Sequence, residues 1–232
     1  MRFISACLVV ILLFFTSIAP AFGQSDYNFP KITSGEIQGA LQKTVPVRFL
    51  PGHPLYFLIS TKEAVNRFFK PSAVERSQFD LTLSGKRLKE TYMLMVKSDY
   101  KRAGGNLTRY AKQNESVIRQ LEKARSQNQA VEPAISQMAD SLRFHEELLI
   151  AIYDMKPASA DTYNFDGSFS QAIDGFRALV GKIDNINPGI KNRFKISKAN
   201  DASESAIVNP SPQPSATPVE ATPTYKPRRI IY

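Results

Sequence analysis

Between Val131 and Ile152 the positions Val131, Ile135, Met138, Leu142, His145, Leu149 and Ile152 follow one another at alternating gaps of four and three. That spacing holds a single stripe on an α-helix and predicts a helix running to about Lys156, with Pro133 tolerated in its first turn. Upstream, Val74, Leu81, Leu88 and Met95 recur at intervals of seven within a helix expected from about Ser72 to Lys97. Its companion positions Ser77, Ser84 and Thr91, with Gly85 beside them, are small and would let a neighbouring helix approach closely. Ser98-Asp99 offers a cap for a further helix, in which Tyr100, Ala103, Leu107, Tyr110, Ala111, Asn114, Val117, Ile118 and Leu121 keep the 3-4 spacing. Gly104-Gly105 falls inside this pattern and is expected to weaken or bend it, since a glycine costs about 1 kcal/mol against alanine in a helix interior.

Two weaker stripes flank these three. After the turn Leu50-Pro51-Gly52-His53-Pro54, the residues Leu55, Leu58, Ile59, Val65, Phe68 and Phe69 give a shorter helix an apolar face, and Pro71 restarts the chain after a break, at the next helix N-terminus. After a loop at 157–167, Phe169, Ile173, Phe176, Val180 and Ile183 mark a helix of roughly Ser168 to Asn187, stopped by Pro188-Gly189. Residues 24–50 hold no period for long and read as an extended arm, with room for a short helix from about Ser34, as cap, to Lys43. Helices of matched length joined by short turns prefer to lie antiparallel. The expected fold is therefore all-α, an antiparallel bundle of four to five amphipathic helices over residues 51–190.

The two ends differ in character from this middle. Arg2 precedes an apolar run of 16 residues, Phe3 to Ile18, shorter than the roughly 20 that a spanning helix needs. Small residues at Ala21 and Gly23 then fit a signal peptide, residues 1–23, cleaved to leave Gln24 first, with cleavage after Ala21 as a second option. Retention of the run as a membrane anchor is the alternative. Cys7, the only cysteine, would leave with the signal, so a mature chain of 209 residues must rely on packing alone. At the other end, residues 197–232 contain few apolar residues and six of the fifteen prolines, the composition of a disordered tail, closing on the basic and apolar Lys226-Pro227-Arg228-Arg229-Ile230-Ile231-Tyr232.

Net charge adds a partner class. The precursor carries +9, and loss of Arg2 leaves +8, a balance that attracts anionic polymers or lipid head groups outside the cell. The Lys and Arg residues are spread along helices without a dense run, which does not favour nucleic acid. Catalytic motifs fail on inspection: His145-Glu146-Glu147-Leu148-Leu149 lacks the second histidine of a zinc protease, and Gly175 to Lys182 has the wrong glycine spacing for a phosphate loop. Ser98-Asp99-Tyr100-Lys101 fits the S-x-x-K pattern without any K-T-G element. Adjacent Glu146 and Glu147 point in different directions on a helix. Asn106 and Asn114 match glycosylation acceptors but sit mid-helix.

The stretch from Leu50 to about Leu149 resembles a domain-of-unknown-function family (five-six-six-seven) of exported bacterial proteins. The likeness rests on Leu50-Pro51, Pro54-Leu55-Tyr56-Phe57-Leu58, Phe69, Pro71, Phe79-Asp80-Leu81, Leu83 and Lys86-Arg87-Leu88, with His145 and Leu149 at the family's His and Leu positions. Ser84-Gly85 departs from the small or acidic pair usual there, and Gly104-Gly105 from the third helix. The resemblance implies an all-helical exported domain and supplies no activity, cofactor or site residue. No catalytic, cofactor-binding or metal residue is assigned and no cofactor is expected. The expected role is a non-enzymatic interaction or scaffold protein, secreted or envelope-associated, with a partner among anionic envelope polymers, the membrane surface or another envelope protein. The rival is an enzyme or small-molecule binder that gathers His145 with carboxylates such as Glu90 or Asp140.

Overall fold

The computed structural model describes residues 27–157 and 163–196. The expected signal peptide, Cys7, the N-terminus at Gln24 and the tail at 197–232 lie outside the described residues. Those described form six helices: α1 Ser34–Lys43, α2 Tyr56–Phe68, α3 Ala73–Val96, α4 Tyr100–Ser126, α5 Glu132–Asp154 and α6 Tyr163–Asp184, followed by a 3-10 turn at Lys191–Arg193. No strand occurs among them. Helices α3 to α6 are each about 33–40 Å long and form the all-α bundle.

The caps show why the boundaries fall where they do. Ser72 and Asp99 accept hydrogen bonds from the Glu75 and Arg102 backbone N–H groups and start α3 and α4. Their C-terminal ends turn back through matched pairs of bonds: Ser98 N–H to Met95 C=O and Asp99 N–H to Leu94 C=O after α3, Asn128 N–H to Arg125 C=O and Gln129 N–H to Ala124 C=O after α4. Ser98 and Asn128 take the left-handed conformation that such turns require, at φ 56° and 52°. Turns this short force successive helices antiparallel. Cross-links then fix the other pairings: Gln78 reaches Gln137, Thr108 reaches Ser168 and Lys182 reaches Glu122, so α3 lies parallel to α5 and α4 parallel to α6.

Small residues set the spacing, as their positions suggested. Ser77, Ser84, Gly85 and Thr91 are all buried, and a Cβ at 85 would lie 2.5 Å from His145 Nε2 on α5. Similarly, a Cβ at Gly175 would stand 3.2 Å from the Ala111 Cα, which brings α6 onto the α4 backbone. Leu81, Leu88, Leu107, Leu121, Ile135, Leu142, Leu149, Phe176 and Val180 fill the space between. Packing continues past residue 190: Phe194 and Ile196 are buried, with the Phe194 ring edge-on to Phe176 at 5.6 Å.

Four local expectations need correction. The cap of α1 is Thr33, one residue before Ser34, because Glu36 completes a capping box with it. The pair Gly104-Gly105 leaves α4 continuous from Tyr100 to Ser126, with Gly104 buried. Helix α6 starts at Tyr163, five residues earlier than the apolar stripe suggested, and Phe165 in that extra turn is buried. The arm ahead of the bundle is docked: Tyr27 stacks on Phe29 at 5.2 Å, both rings meet Tyr153 of α5, and Tyr27 N–H donates to the Tyr153 hydroxyl.

Leu142→Ala, which empties a fully buried seam position, is expected to lower stability by about 2–5 kcal/mol in urea unfolding, whereas Phe68→Ser on the surface is expected to change it by about 0.5 kcal/mol at most. Equal losses would contradict this assignment of core and surface.

Candidate functional site

Helix α2 is mounted the opposite way round from its sequence pattern. Its apolar face does not enter the core: Phe57, Phe68 and Phe69 are 62%, 78% and 74% exposed, and Leu55, Leu58 and Val65 are exposed with them. Tyr56, Ile59, Glu63 and Arg67, spaced three, four and four, form the stripe that faces the bundle. Periodicity shows that a helix has an apolar side; what that side meets depends on the partner surface, and here the partner surface is charged.

That surface comes from one stretch of α3 and the facing part of α4. Lys86, Arg87 and Glu90 on α3 are buried, and Glu63 of α2 comes down between them, paired with both Lys86 and Arg87. Arg87 Nη1 bonds Glu90 Oε2 at 3.0 Å and also donates to the Tyr56 hydroxyl, which in turn donates to Glu90 Oε2 at 3.0 Å. Asn106 of α4 closes the set, its Nδ2 donating to Glu90 Oε2 at 3.2 Å and to the Arg87 carbonyl at 2.9 Å. Two cations and two carboxylates leave this set neutral.

A second fastening sits towards the end of α2. The Arg67 guanidinium grips the buried Asp80 carboxylate at 2.7 and 2.9 Å, a two-pronged geometry that lysine cannot make, and also reaches the Ser116 hydroxyl at 3.1 Å. Ser116 itself donates to Asp80 at 2.8 Å. Buried ions cost free energy unless they are paired, and each charge here stands against an opposite one, while Asn106 Oδ1 beside them has no partner among the described residues. Burial, with the Glu90 charge adding to it, pushes the Tyr56 hydroxyl far above its ordinary range, so it stays protonated as a donor. Chemically, the arrangement fastens a helix.

Beside the start of α2, an open cleft of about 610 Å³ is lined by Pro51, Gly52, Lys101, Arg102, Asn106 and Arg109, with Asp99 as its single acid. Asp99 pairs with Arg102 at 2.6 Å, which leaves Lys101 and Arg109 in excess. Gly52, at φ 100°, lets the turn pass over Arg102, since a Cβ there would stand 2.7 Å from its Nε.

The residues that the rival reading would gather share no hydrogen bond or ion pair among the described residues. His145 is buried between α3, α4 and α5, its ring edge-on to Tyr110 at 5.8 Å, and its Nδ1 has no hydrogen-bond partner among the described residues. Burial drives its pKa from the usual 6.5 down to about 3. Glu90 belongs to the charged set beneath α2, and Asp140 is exposed, paired with Arg193. His53 stacks on Phe49 at 4.4 Å and accepts the Leu55 N–H at Nδ1. Glu146 is buried, taking the Ile196 N–H at 2.7 Å, while Glu147 is turned away from it towards the surface. Asn106 and Asn114 are both buried, so neither acceptor amide is accessible in the fold. Among the described residues no group of three or more metal-ligating side chains stands together, and no helix is long and apolar enough to cross a membrane.

Residues 48–143 match the model of a family described as a domain of unknown function (DUF5667). The matched stretch contains every member of the charged set, from Tyr56 to Ser116, and stops just short of His145. No curated protein and no solved structure matches the chain.

Removing one carboxylate from the seat should be costly: Glu90→Ala leaves Arg87 and Lys86 to share Glu63, with one buried positive charge uncompensated, and is expected to lower stability by about 3–5 kcal/mol in urea unfolding, and a loss below about 1 kcal/mol would show that the seat does not hold α2. His145 predicts an acid effect of definite sign. Its folded pKa lies below the unfolded one, so between pH 6.5 and about 3 the unfolded chain binds a proton that the folded chain does not. Stability therefore falls with pH there, by up to about 1.4 kcal/mol per unit from this group. Burial raises Glu146, which works in the opposite sense over its own window. The comparison that isolates the histidine is wild type against His145→Leu between pH 7 and 4: the variant should gain on wild type as pH drops, and a constant difference would mean that His145 titrates normally.

Proposed function

We propose that this protein is an exported, non-enzymatic interaction or scaffold domain of the cell envelope, and that the outward face of α2 is where it meets its partner. The observation that carries the reading is the mounting of α2. A helix whose apolar side were needed for folding would bury it, whereas this one is held by ions and presents Phe57, Leu58, Val65, Phe68 and Phe69 to the outside. Contiguous exposed apolar surface of this kind marks an interaction site. Export is supported by the leader-like run from Phe3 to Ile18 and the small residues that follow it. The non-enzymatic part is supported by the positions of the two histidines, one sealed in the core and one stacked in a turn.

Fractionation of the producing cell, with mass spectrometry of the protein's N-terminus, tests the first half. Protein beginning at Gln24 outside the cytoplasm is expected, and soluble cytoplasmic protein with Met1 intact would overturn export. For the second half, Phe57→Ser/Phe68→Ser is expected to reduce envelope association about tenfold with urea unfolding unchanged. Undiminished association would remove α2 from the interface, and turnover of an envelope substrate abolished by one conservative substitution would make the protein an enzyme.

A further inference from the structure

The chemistry of the α2 face and its surroundings goes further than an unnamed partner. We propose that this face docks on the surface of a bilayer containing anionic lipid, an inference that rests on the interaction reading above and gives it a partner.

The first support is where the apolar surface lies. Among the described residues, the strongly exposed large apolar side chains apart from Val96 all fall between Leu55 and Phe69. At 100° per residue, Phe57, Thr61, Val65, Leu58, Phe68 and Phe69 lie within an arc of about 120°, opposite Tyr56, Glu63 and Arg67. The Thr61 hydroxyl is spent on the Phe57 carbonyl at 3.0 Å, so the arc offers no directional hydrogen bond to a folded protein. It is one convex helix with three phenylalanines, the form of a helix that lies in the head-group region and sinks its apolar side by a few ångströms.

The second support is charge. The only carboxylate of α2, Glu63, is turned inward against Lys86 and Arg87, so the exposed part of the helix carries Lys62 and no acid. Lys70 follows the helix, above the Phe79 ring at 5.7 Å, and the cleft beside its start adds Lys101 and Arg109, its Arg102 being paired with Asp99. Basic residues around an apolar face match an anionic membrane. A second copy would set these cations against their own counterparts. The chain's own C-terminal end, Lys226 to Tyr232, would bring three more cations to the same place. Both are disfavoured by the sign that favours lipid.

The sequence contains no tryptophan, which makes a site-specific test direct. Phe68→Trp in the full chain places a single reporter on the face, where a 78% exposed ring leaves packing undisturbed. Phosphatidylglycerol-containing vesicles are expected to shift its emission to the blue, and lipids brominated in the acyl chain are expected to quench it. Partitioning should exceed that into phosphatidylcholine vesicles about tenfold at low ionic strength, fall several-fold in high salt, and drop about tenfold when Phe57→Ser/Phe69→Ser is added. Emission that anionic vesicles leave unchanged would overturn the proposal, even if the protein sediments with them through its N-terminal run. So would emission already blue-shifted without lipid, whether it depends on protein concentration, which means a second copy covers the face, or does not, which means the chain covers itself. If envelope association still needs Phe57 and Phe68 while vesicles leave the reporter unshifted, the lipid proposal falls, the interaction reading stands, and the partner is a protein.

Discussion

The neutral set of Lys86, Arg87, Glu63 and Glu90 is the constraint on which the mounting of α2 against α3 and α4 depends. Each charge would be prohibitive alone at its depth, so the four must be assembled together, with Tyr56 and Asn106 supplying the remaining donors. Their assembly requires α2 to run antiparallel along α3 and to face it with its polar stripe. Arg67, one turn beyond Glu63, then reaches Asp80 and Ser116 without further adjustment. The orientation of the apolar face follows from this and from nothing in the apolar residues themselves.

Where the fold depends on local chemistry and one-dimensional spacing, it was legible. The seam from Val131 to Ile152 marked a buried helix face, Ser72 and Asp99 marked two starts, and the small residues around Gly85 marked a close approach that the structure places against His145. His145 itself was legible as a seam residue because it stood in register between Leu142 and Leu149. Errors of one to five residues at Thr33 and Tyr163 came from a capping partner three positions on and from a turn buried by its neighbours.

The candidate site was legible only in pieces. Lys86, Arg87, Asp80 and Tyr56 all stood in the stretch that carried the family likeness, but as residue types they read as a solvated helix face. What turns them inward is each other: Glu63 lies 23 residues before Lys86, and Asn106 another 16 after Glu90, separations at which spacing carries no signal. A helix with six apolar residues on one side reads as core for the same reason, because sequence periodicity does not say whether the opposite side has ions waiting for it.

The mounting of α2 also separates two kinds of constraint that usually fall on the same residues. In most amphipathic helices an apolar substitution damages folding first, and any effect on binding is hidden behind it. Here Tyr56, Glu63 and Arg67 answer for the fold, while Phe57, Leu58, Val65, Phe68 and Phe69 make no claim on it. Variation at these outward positions is therefore free to track the environment alone, and a library randomised there would read the preferences of whatever the helix touches without a background of unfolded chains.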